Sequence, residues 1–176
     1  MKWFGYILIV ISIFLIGCIT MPLETTETTP IIKQGETRIY DSSDEFTGIR
    51  AIEIQIVLDQ TLKILPRFAF SNDGNEFYFI CFYYQGSSWY FFDNIYFIVD
   101  GQNSTQKVFE TERDVISGTV TEWFCISSTL SFIQEISNAQ EVKMKISGSK
   151  GNKIFELDNS QKDKIKDFLT YLNENL

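Results

Sequence analysis

The chain contains no histidine, and it has only 3 cysteines and 3 prolines in 176 residues. Histidine is the side chain most often used as a general base near pH 7 and as a ligand of zinc, copper or haem iron. Its absence excludes histidine-dependent catalytic triads and the common metal centres. The sequence also has no nucleophile elbow, phosphate-binding glycine loop or dinucleotide fingerprint. We therefore expect a protein without a metal or cofactor, and one that is not an enzyme.

Positive charge is also scarce in this chain. Lys and Arg number 15 against 23 Asp and Glu, which gives a net charge of −8 at pH 7. A chain of this charge is repelled by nucleic acid and by anionic lipid headgroups. We therefore expect no nucleic acid partner, and contact with a membrane would have to come from something other than charge.

The longest apolar run is short for a membrane-spanning helix. It covers residues 3–16, about 14 residues, whereas a transmembrane helix needs roughly 20. This length is typical of the apolar core of a signal peptide. The run is preceded by a single Lys2, and it leads into Leu-Ile-Gly-Cys at residues 15–18.

These four residues resemble the lipobox of bacterial lipoproteins, with an aliphatic Leu15, a small Gly17 and the required Cys18. Ile16 is bulkier than the residue often found at its position. The resemblance implies cleavage before Cys18, lipid chains such as palmitate on that cysteine, and a periplasmic or cell-surface location. Two or more such chains anchor a protein stably. An uncleaved anchor helix over residues 3–19, or a cysteine present by chance, remains as the alternative.

Three regions follow from this pattern. Residues 1–17 are the expected signal peptide. Residues 18–45 are the expected lipidated cysteine and flexible tether, because this stretch is rich in Thr and Glu and shows no sustained periodicity. Residues 46–176 are long enough for a single globular domain with a substantial core.

Short apolar and aromatic runs separated by turn residues predict antiparallel β structure in this domain. Asn-Asp-Gly-Asn at 72–75 and Asp-Gly-Gln-Asn at 100–103 are typical of tight hairpins. We expect an α+β fold: an antiparallel sheet or sandwich with meander connections and two helices packed on it. The predicted strands cover residues 49–58, 64–70, 76–84, 89–99, 106–113 and 118–126, with a last hairpin over 141–147 and 153–158.

The two helices are predicted from capping residues and apolar spacing. A short helix is expected over residues 130–136, with Ser127 and Ser128 as candidate N-caps. The C-terminal helix is expected after Ser160, whose capping partner would be Asp163 three residues later. Its apolar residues fall on one face, so it should pack on the sheet.

Aromatic residues crowd the strands predicted over 76–84 and 89–99. One interpretation is that both strands are central and covered on both faces, where aromatic pairs contribute packing. The other is that one face remains exposed and binds a carbohydrate, a peptide or another protein. Trp89, Tyr90 and Trp123 are the candidate binding residues on that second interpretation.

Cys81 and Cys125 are the cysteines that remain beyond the lipid site. A disulfide between them would close a loop of about 44 residues and stabilise the fold by roughly 4 kcal/mol. An exported domain favours this bridge. The bulky apolar neighbours of both residues favour two buried free thiols instead, and both possibilities stand.

Carboxylates offer the one remaining route to acid and base chemistry. Asp41, Asp44 and Glu45 lie close together in sequence, but at the end of a tether we expect them to be solvated charges. An enzyme would instead need acids such as Asp93 and Glu122 to converge in a pocket with raised pKa values.

The domain resembles a small extracytoplasmic module found in bacterial lipoproteins of unassigned function, over residues 44–172. The resemblance implies a shared architecture and no known activity. Lys145 stands where that module more often has arginine. The matching residues are 44–48, 89–91, 100–101, Ile136, Ala139, Val142, Lys145, Ile146, Gly148 and 155–157.

The sequence thus predicts a membrane-anchored lipoprotein whose domain has a binding or structural role in the cell envelope. Its partners would be the membrane, through the lipid on Cys18, and an unknown envelope protein or carbohydrate ligand. Two alternatives remain: an envelope enzyme that uses a carboxylate pair, and a module with an exposed aromatic face that binds a host or phage component.

Overall fold

The computed structural model describes residues 32–34, 37–44 and 47–176. The expected signal peptide, the expected lipidation site Cys18 and most of the expected tether lie outside the described residues. The elements of the described part are β1 Ile32–Gln34, β2 Thr37–Asp44, β3 Ile49–Ile54, β4 Ile56–Val57, β5 Leu62–Ser71, β6 Glu76–Gly86, β7 Phe92–Val99, β8 Gln102–Lys107, β9 Glu110–Ile116, β10 Thr119–Ser128, α1 Leu130–Asn138, β11 Val142–Gly148, β12 Gly151–Glu156 and α2 Asn159–Asn175.

The strands form two antiparallel sheets. The large sheet has the order β1-β2-β3-β5-β6-β10-β9, with β4 paired to β5, and the small sheet has the order β12-β11-β7-β8. The predicted α+β class, with antiparallel sheets and a C-terminal helix, is confirmed. The connections are not one continuous meander. Strand β6 pairs with β10, and the chain between these two strands includes β7 and β8, which belong to the small sheet.

One core joins the two sheets and both helices. Aromatic rings pack together where the two sheets meet. Phe124 of β10 lies 5.1 Å from Phe82 of β6 and 4.8 Å from Phe92 of β7, measured between ring centroids. All three are at most 1% exposed. Burying each phenylalanine contributes about 1.5–3 kcal/mol, so this contact holds the small sheet against the large one.

The hairpins predicted from turn residues are confirmed. Between β5 and β6, the Gly74 N–H donates to the Ser71 carbonyl, and Gly74 has a φ of 81°. Between β7 and β8, Asp100 and Gly101 have φ values of 46° and 82°. Two consecutive positive φ angles are typical of the turn that suits the twist of a two-residue hairpin.

The strand predicted over residues 106–113 is wrong, because the chain changes sheets within it. The Val108 N–H donates to the Asp93 carbonyl beside the small sheet, and the Phe109 N–H donates to the Cys125 carbonyl in the large sheet. The segment is therefore split into β8 and β9. This crossing depends on partners far away in sequence, and no local signal marks it.

In both helices, the N-cap is a different residue from the one predicted. Ser127 and Ser128 still pair with β6, and the hydroxyl of Thr129 caps α1 by accepting from the Phe132 N–H. Asp158, rather than Ser160, caps α2, and it exchanges hydrogen bonds with Gln161 in a capping box. In each case the cap lies where strand pairing ends.

The folded domain begins before residue 46, the predicted boundary of the tether. Strand β2 pairs with β3 from Ile39 to Asp44, and Ile39 is buried in the main core at 1% exposure. The short apolar pattern of β2 is weak alone, but its alternate residues face the core once β3 fixes the register. Residues 37–44 therefore belong to the sheet and not to a flexible tether.

The outer face of the large sheet as a candidate binding surface

The large sheet has an inner face, which packs on the main core, and an outer face on the opposite side. Side chains alternate between these faces along each strand. On the outer face, Leu65, Cys81 and Cys125 are at most 3% exposed. The apolar side chains packed against them are three partly buried aromatic residues, Phe79, Tyr83 and Trp123. Neither helix and no strand of the small sheet contributes to this outer cluster.

A disulfide lies beneath these aromatic side chains. Cys81 of β6 and Cys125 of β10 are direct partners in the ladder, and the structure joins them with an S–S distance of 2.09 Å. They are separated by 44 residues in sequence. On the chain-entropy model, closing a loop of this length stabilises the fold by roughly 4 kcal/mol. The bridge ties together the two strands that carry the outer face.

Two further phenylalanines extend this surface and are largely exposed. Phe77 is 47% exposed and Phe109 is 56% exposed. Their rings lie 6.4 Å and 5.7 Å from that of Phe79 between centroids. Adjoining exposed aromatic side chains are unusual on a protein that only needs to stay soluble, and such patches commonly mark interaction sites. We call Phe77, Phe79, Tyr83, Phe109 and Trp123 the aromatic patch.

Charged residues border the aromatic patch on both sides. Glu110, Glu112 and Asp114 of β9 lie opposite Cys125, Trp123 and Thr121 of β10. Burial, together with the neighbouring Glu112, raises the pKa of Glu110. On the other side, the Lys63 ammonium lies 5.7 Å from the Tyr83 ring centroid.

Two clefts open where β10 ends and α1 begins. The β8 cleft, of about 390 Å³, lies between β8 and α1, and is lined by Val99, Gln102, Asn103, Ser104, Gln106, Ser127, Ser128, Thr129, Phe132 and Glu135. The β6 cleft, of about 380 Å³, adjoins the aromatic patch, and is lined by Glu76, Phe77, Tyr78, Phe79, Ser127, Ser128, Thr129 and Leu130. The clefts share three hydroxyl-bearing residues. Both volumes fall in the range of small-molecule sites.

The structure does not bring the three candidate aromatic residues together. Trp123 lies on the outer face. Tyr90 instead stacks on Phe92, at 5.0 Å between centroids, and packs against the main core. Trp89 also packs against that core. Phe77, Phe79 and Tyr83, which do share the outer face with Trp123, were not singled out from the sequence.

The sequence does contain a pattern that places Phe77, Phe79 and Tyr83 on the same face as Trp123. Phe77, Phe79 and Tyr83 are separated from Cys81 by even numbers of residues, and so is Trp123 from Cys125. Side chains two apart on a strand share a face. If the disulfide is assumed, this parity alone places all four aromatic side chains on one surface.

Glu122 has a structural environment that differs from that of a catalytic acid. Its side chain is 0% exposed. It accepts hydrogen bonds from the backbone N–H groups of Tyr90, Phe91 and Phe92, at 2.5, 3.1 and 3.3 Å, and from Arg113 Nε at 3.3 Å. The carboxylate therefore fixes the connection between the two sheets. Its four donors leave it no free approach to a substrate.

The other acids considered from the sequence do not converge with Glu122. Asp93 is exposed and accepts a hydrogen bond from the Asn94 amide. Asp41 is not the solvated charge that we expected. Its side chain is 8% exposed and forms a bidentate ion pair with Arg50, at 2.8 and 2.5 Å. The Tyr171 hydroxyl of α2 donates to the same carboxylate at 2.9 Å.

Asp41 therefore ties the C-terminal helix to the sheet. The hydrogen bond from Arg50, with a further one from Tyr171, holds the pKa of Asp41 below its usual value of 3.8, despite partial burial. This carboxylate stays ionised near neutral pH. A group with a lowered pKa and a structural partner is a poor general acid.

The described part of the chain covers residues 32–34, 37–44 and 47–176. No group of three or more Cys, Asp or Glu residues in these ranges is arranged to hold a metal ion. Neither helix described there is long and apolar enough to cross a membrane. Comparison with protein-family models, with curated proteins and with solved structures finds no match to this chain.

Proposed function

We propose that the chain is a bacterial lipoprotein that displays a non-enzymatic binding domain in the cell envelope, and that the outer face of the large sheet is its binding surface. The lipid chains on Cys18 would hold the domain at the membrane outside the cytoplasm. The sequence of residues 1–18 supports the anchor, and the surface of the domain supports the binding role.

The observation that carries this proposal is the aromatic patch. Phe77 and Phe109 expose about half of their surface, although the same face buries a disulfide under three other aromatic rings. Exposed aromatic side chains favour aggregation and add little to stability. Their presence is best explained by a partner that covers them.

The arrangement of the strands suits a tethered binding domain. The N-terminal segment enters the large sheet at β1 and β2, whereas β10 and β9 lie at the opposite end of the strand order. Five strand spacings separate β2 from β9, which amounts to about 24 Å. An anchor before β1 would therefore leave the side of the sheet next to β9 free to meet a ligand.

The anchor is tested by intact mass measurement on the membrane fraction, with metabolic labelling by a fatty acid. We expect the wild type to have lost residues 1–17 and to carry a lipid mass, and Cys18→Ala to carry none. An unprocessed, unlabelled wild-type protein would contradict the anchor and the envelope location that depends on it.

The binding surface is tested by photo-crosslinking in intact cells that express the full chain. A photoreactive phenylalanine derivative replaces Phe109 on the outer face, or Ile154 as the control, which is 70% exposed on the small sheet. We expect a discrete crosslinked product from position 109 that disappears when Phe77→Ser is added. Equal products from both positions, or none from position 109, would contradict the proposed surface.

A further inference from the structure

The β8 cleft carries an unusual concentration of side-chain amides. Gln102 and Gln106, on one face of β8, line it together with Asn103, and the side-chain amides of these three residues form no hydrogen bond within the described part of the chain. Each amide offers both a donor and an acceptor group. Neighbouring hydroxyl groups on a ligand, which both donate and accept, can pair with such amides.

An unsatisfied hydroxyl lies in the same cleft. The Oγ atom of Ser104 is buried, yet it has no hydrogen-bond partner among the described residues. Buried polar atoms are nearly always paired in folded proteins, because an unpaired one is costly. Ser104 lines the cleft, so a rotation of its side chain would let the hydroxyl bond to a ligand there.

The β6 cleft offers a different contact, from the faces and edges of aromatic rings. Phe77 and Phe79 line it together with Tyr78. The Tyr78 hydroxyl donates to the Glu76 carboxylate at 3.1 Å, and burial together with this hydrogen bond raises the pKa of Tyr78 to about 12. The Glu76 carboxylate can still accept a hydrogen bond from a ligand hydroxyl. Aromatic rings pack against the apolar C–H face of a sugar, while the hydroxyl groups of that sugar point to the polar rim.

Charge narrows the ligand class further. Neither cleft is lined by Lys or Arg, and each is lined by one carboxylate, Glu135 in the β8 cleft and Glu76 in the β6 cleft. A phosphate or a uronic acid would meet negative charge in both places without a cation to offset it. A ligand with many hydroxyl groups and no negative charge meets no such penalty.

We propose that the two clefts together bind an oligosaccharide that carries no negative charge. Its sugar rings would cross the ridge of Ser127, Ser128 and Thr129, which both clefts share. One ring would meet the amides of β8, and another would stack on Phe77 and Phe79. This inference rests on the proposed binding function and assigns to it a ligand class.

The test is calorimetric titration of the full-length lipoprotein in a detergent that has no sugar headgroup. The probes are the neutral tetrasaccharides cellotetraose and chitotetraose, and the anionic tetragalacturonate. We expect at least one neutral probe to bind with a Kd of about 1 mM or tighter, and the anionic probe to bind at least about tenfold more weakly.

Two cleft variants and two matched controls locate the site. Gln106→Ala and Phe77→Ala should each raise the Kd about tenfold. Thr105→Ala, on the same strand but not in the cleft lining, and Ile154→Ala, which is 70% exposed on the small sheet and outside both clefts, should change it by less than about twofold. Unfolding curves of all four variants establish that each one folds.

Three outcomes would overturn the inference: no binding of either neutral probe, equal binding of the anionic probe, or wild-type affinity in both cleft variants. The crosslinking experiment at position 109 shows whether only the oligosaccharide inference fails or the proposed binding surface fails as well. A crosslink without sugar binding would reject the oligosaccharide alone. Absence of both would reject the binding surface as well.

Discussion

The carboxylate of Glu122 accepts a 2.5 Å hydrogen bond from the backbone N–H of Tyr90, which lies 32 residues away in sequence. The next two N–H groups, of Phe91 and Phe92, and the Arg113 side chain donate to the same carboxylate. This is the point at which the chain passes from the large sheet to the small one. A buried carboxylate on the large sheet thus holds the segment that leads into the small sheet.

Replacing Glu122 by Gln should destabilise the domain strongly. The amide keeps one acceptor oxygen, but its NH₂ group would face N–H donors, and Arg113 would lose its ion pair. Unpairing buried donors in this way costs about 3 kcal/mol. Urea unfolding of Glu122→Gln should show this loss, whereas Glu112→Gln, an exposed residue of β9, should change the free energy of unfolding by less than about 0.5 kcal/mol. If both variants changed the free energy of unfolding by equal, small amounts, Glu122 would not hold the two sheets together.

The disulfide should be the second large contribution to stability. Cys81 and Cys125 are 1% and 3% exposed, so thiol reagents should reach them only after unfolding and reduction. Cys81→Ser with Cys125→Ser should lower the free energy of unfolding by roughly 4 kcal/mol. Cys18→Ala is the matched control and should leave it unchanged. Rapid alkylation of both cysteines in the native, unreduced protein would show that the bridge is absent.

Local signals predicted much of this fold from the sequence. The hairpins at Gly74 and Gly101 follow from residues that adopt positive φ, and the apolar face of α2 follows from its spacing. Each of these features depends on fewer than about twenty neighbouring residues. The pairing of β6 with β10 does not, because it joins segments on either side of a whole excursion into the small sheet.

The candidate site was predicted only in part for a related reason. Trp89, Tyr90 and Trp123 were chosen by residue type, and residue type does not tell which face of a strand is covered. Tyr90 packs against the main core, where its ring stacks on that of Phe92. The exposure of Phe109 depends on the crossing between β8 and β9, which no local pattern marks.

Acid should weaken the attachment of α2 through Asp41. Its folded-state pKa lies below the usual 3.8, chiefly through the hydrogen bond from Arg50. The resulting stability is fully present above about pH 4 and is lost as the pH falls through the folded-state pKa. Between about pH 5 and pH 2, the free energy of unfolding should therefore fall less steeply for Asp41→Asn than for the wild type. Asp163→Asn, an exposed acid of α2, should retain the wild-type slope.

Lys162 should contribute more to the stability of the domain than a typical surface lysine. It is 5% exposed, and its ammonium donates to the carbonyls of Ala139 and Gln140, at 3.0 and 2.9 Å. These carbonyls lie just after α1, where a positive charge is favourable. Lys162→Met should lower the free energy of unfolding by about 2 kcal/mol. Lys166→Met, on the exposed side of the same helix, should change it by less than about 0.5 kcal/mol. If the two variants lost similar amounts of stability, the hydrogen bonds of Lys162 would not stabilise the domain as argued.

The aromatic patch should separate residues that stabilise the domain from residues that only bind. Trp123 covers the disulfide, so Trp123→Ala should lower the free energy of unfolding by about 2–3 kcal/mol. Phe109 is 56% exposed, and Phe109→Ser should change it by less than about 0.5 kcal/mol while reducing self-association at high concentration. Urea unfolding and light scattering measure the two effects. If Phe109→Ser destabilised the domain as much as Trp123→Ala, the exposed ring would be part of the folded core, and the argument that a partner covers it would lose its basis.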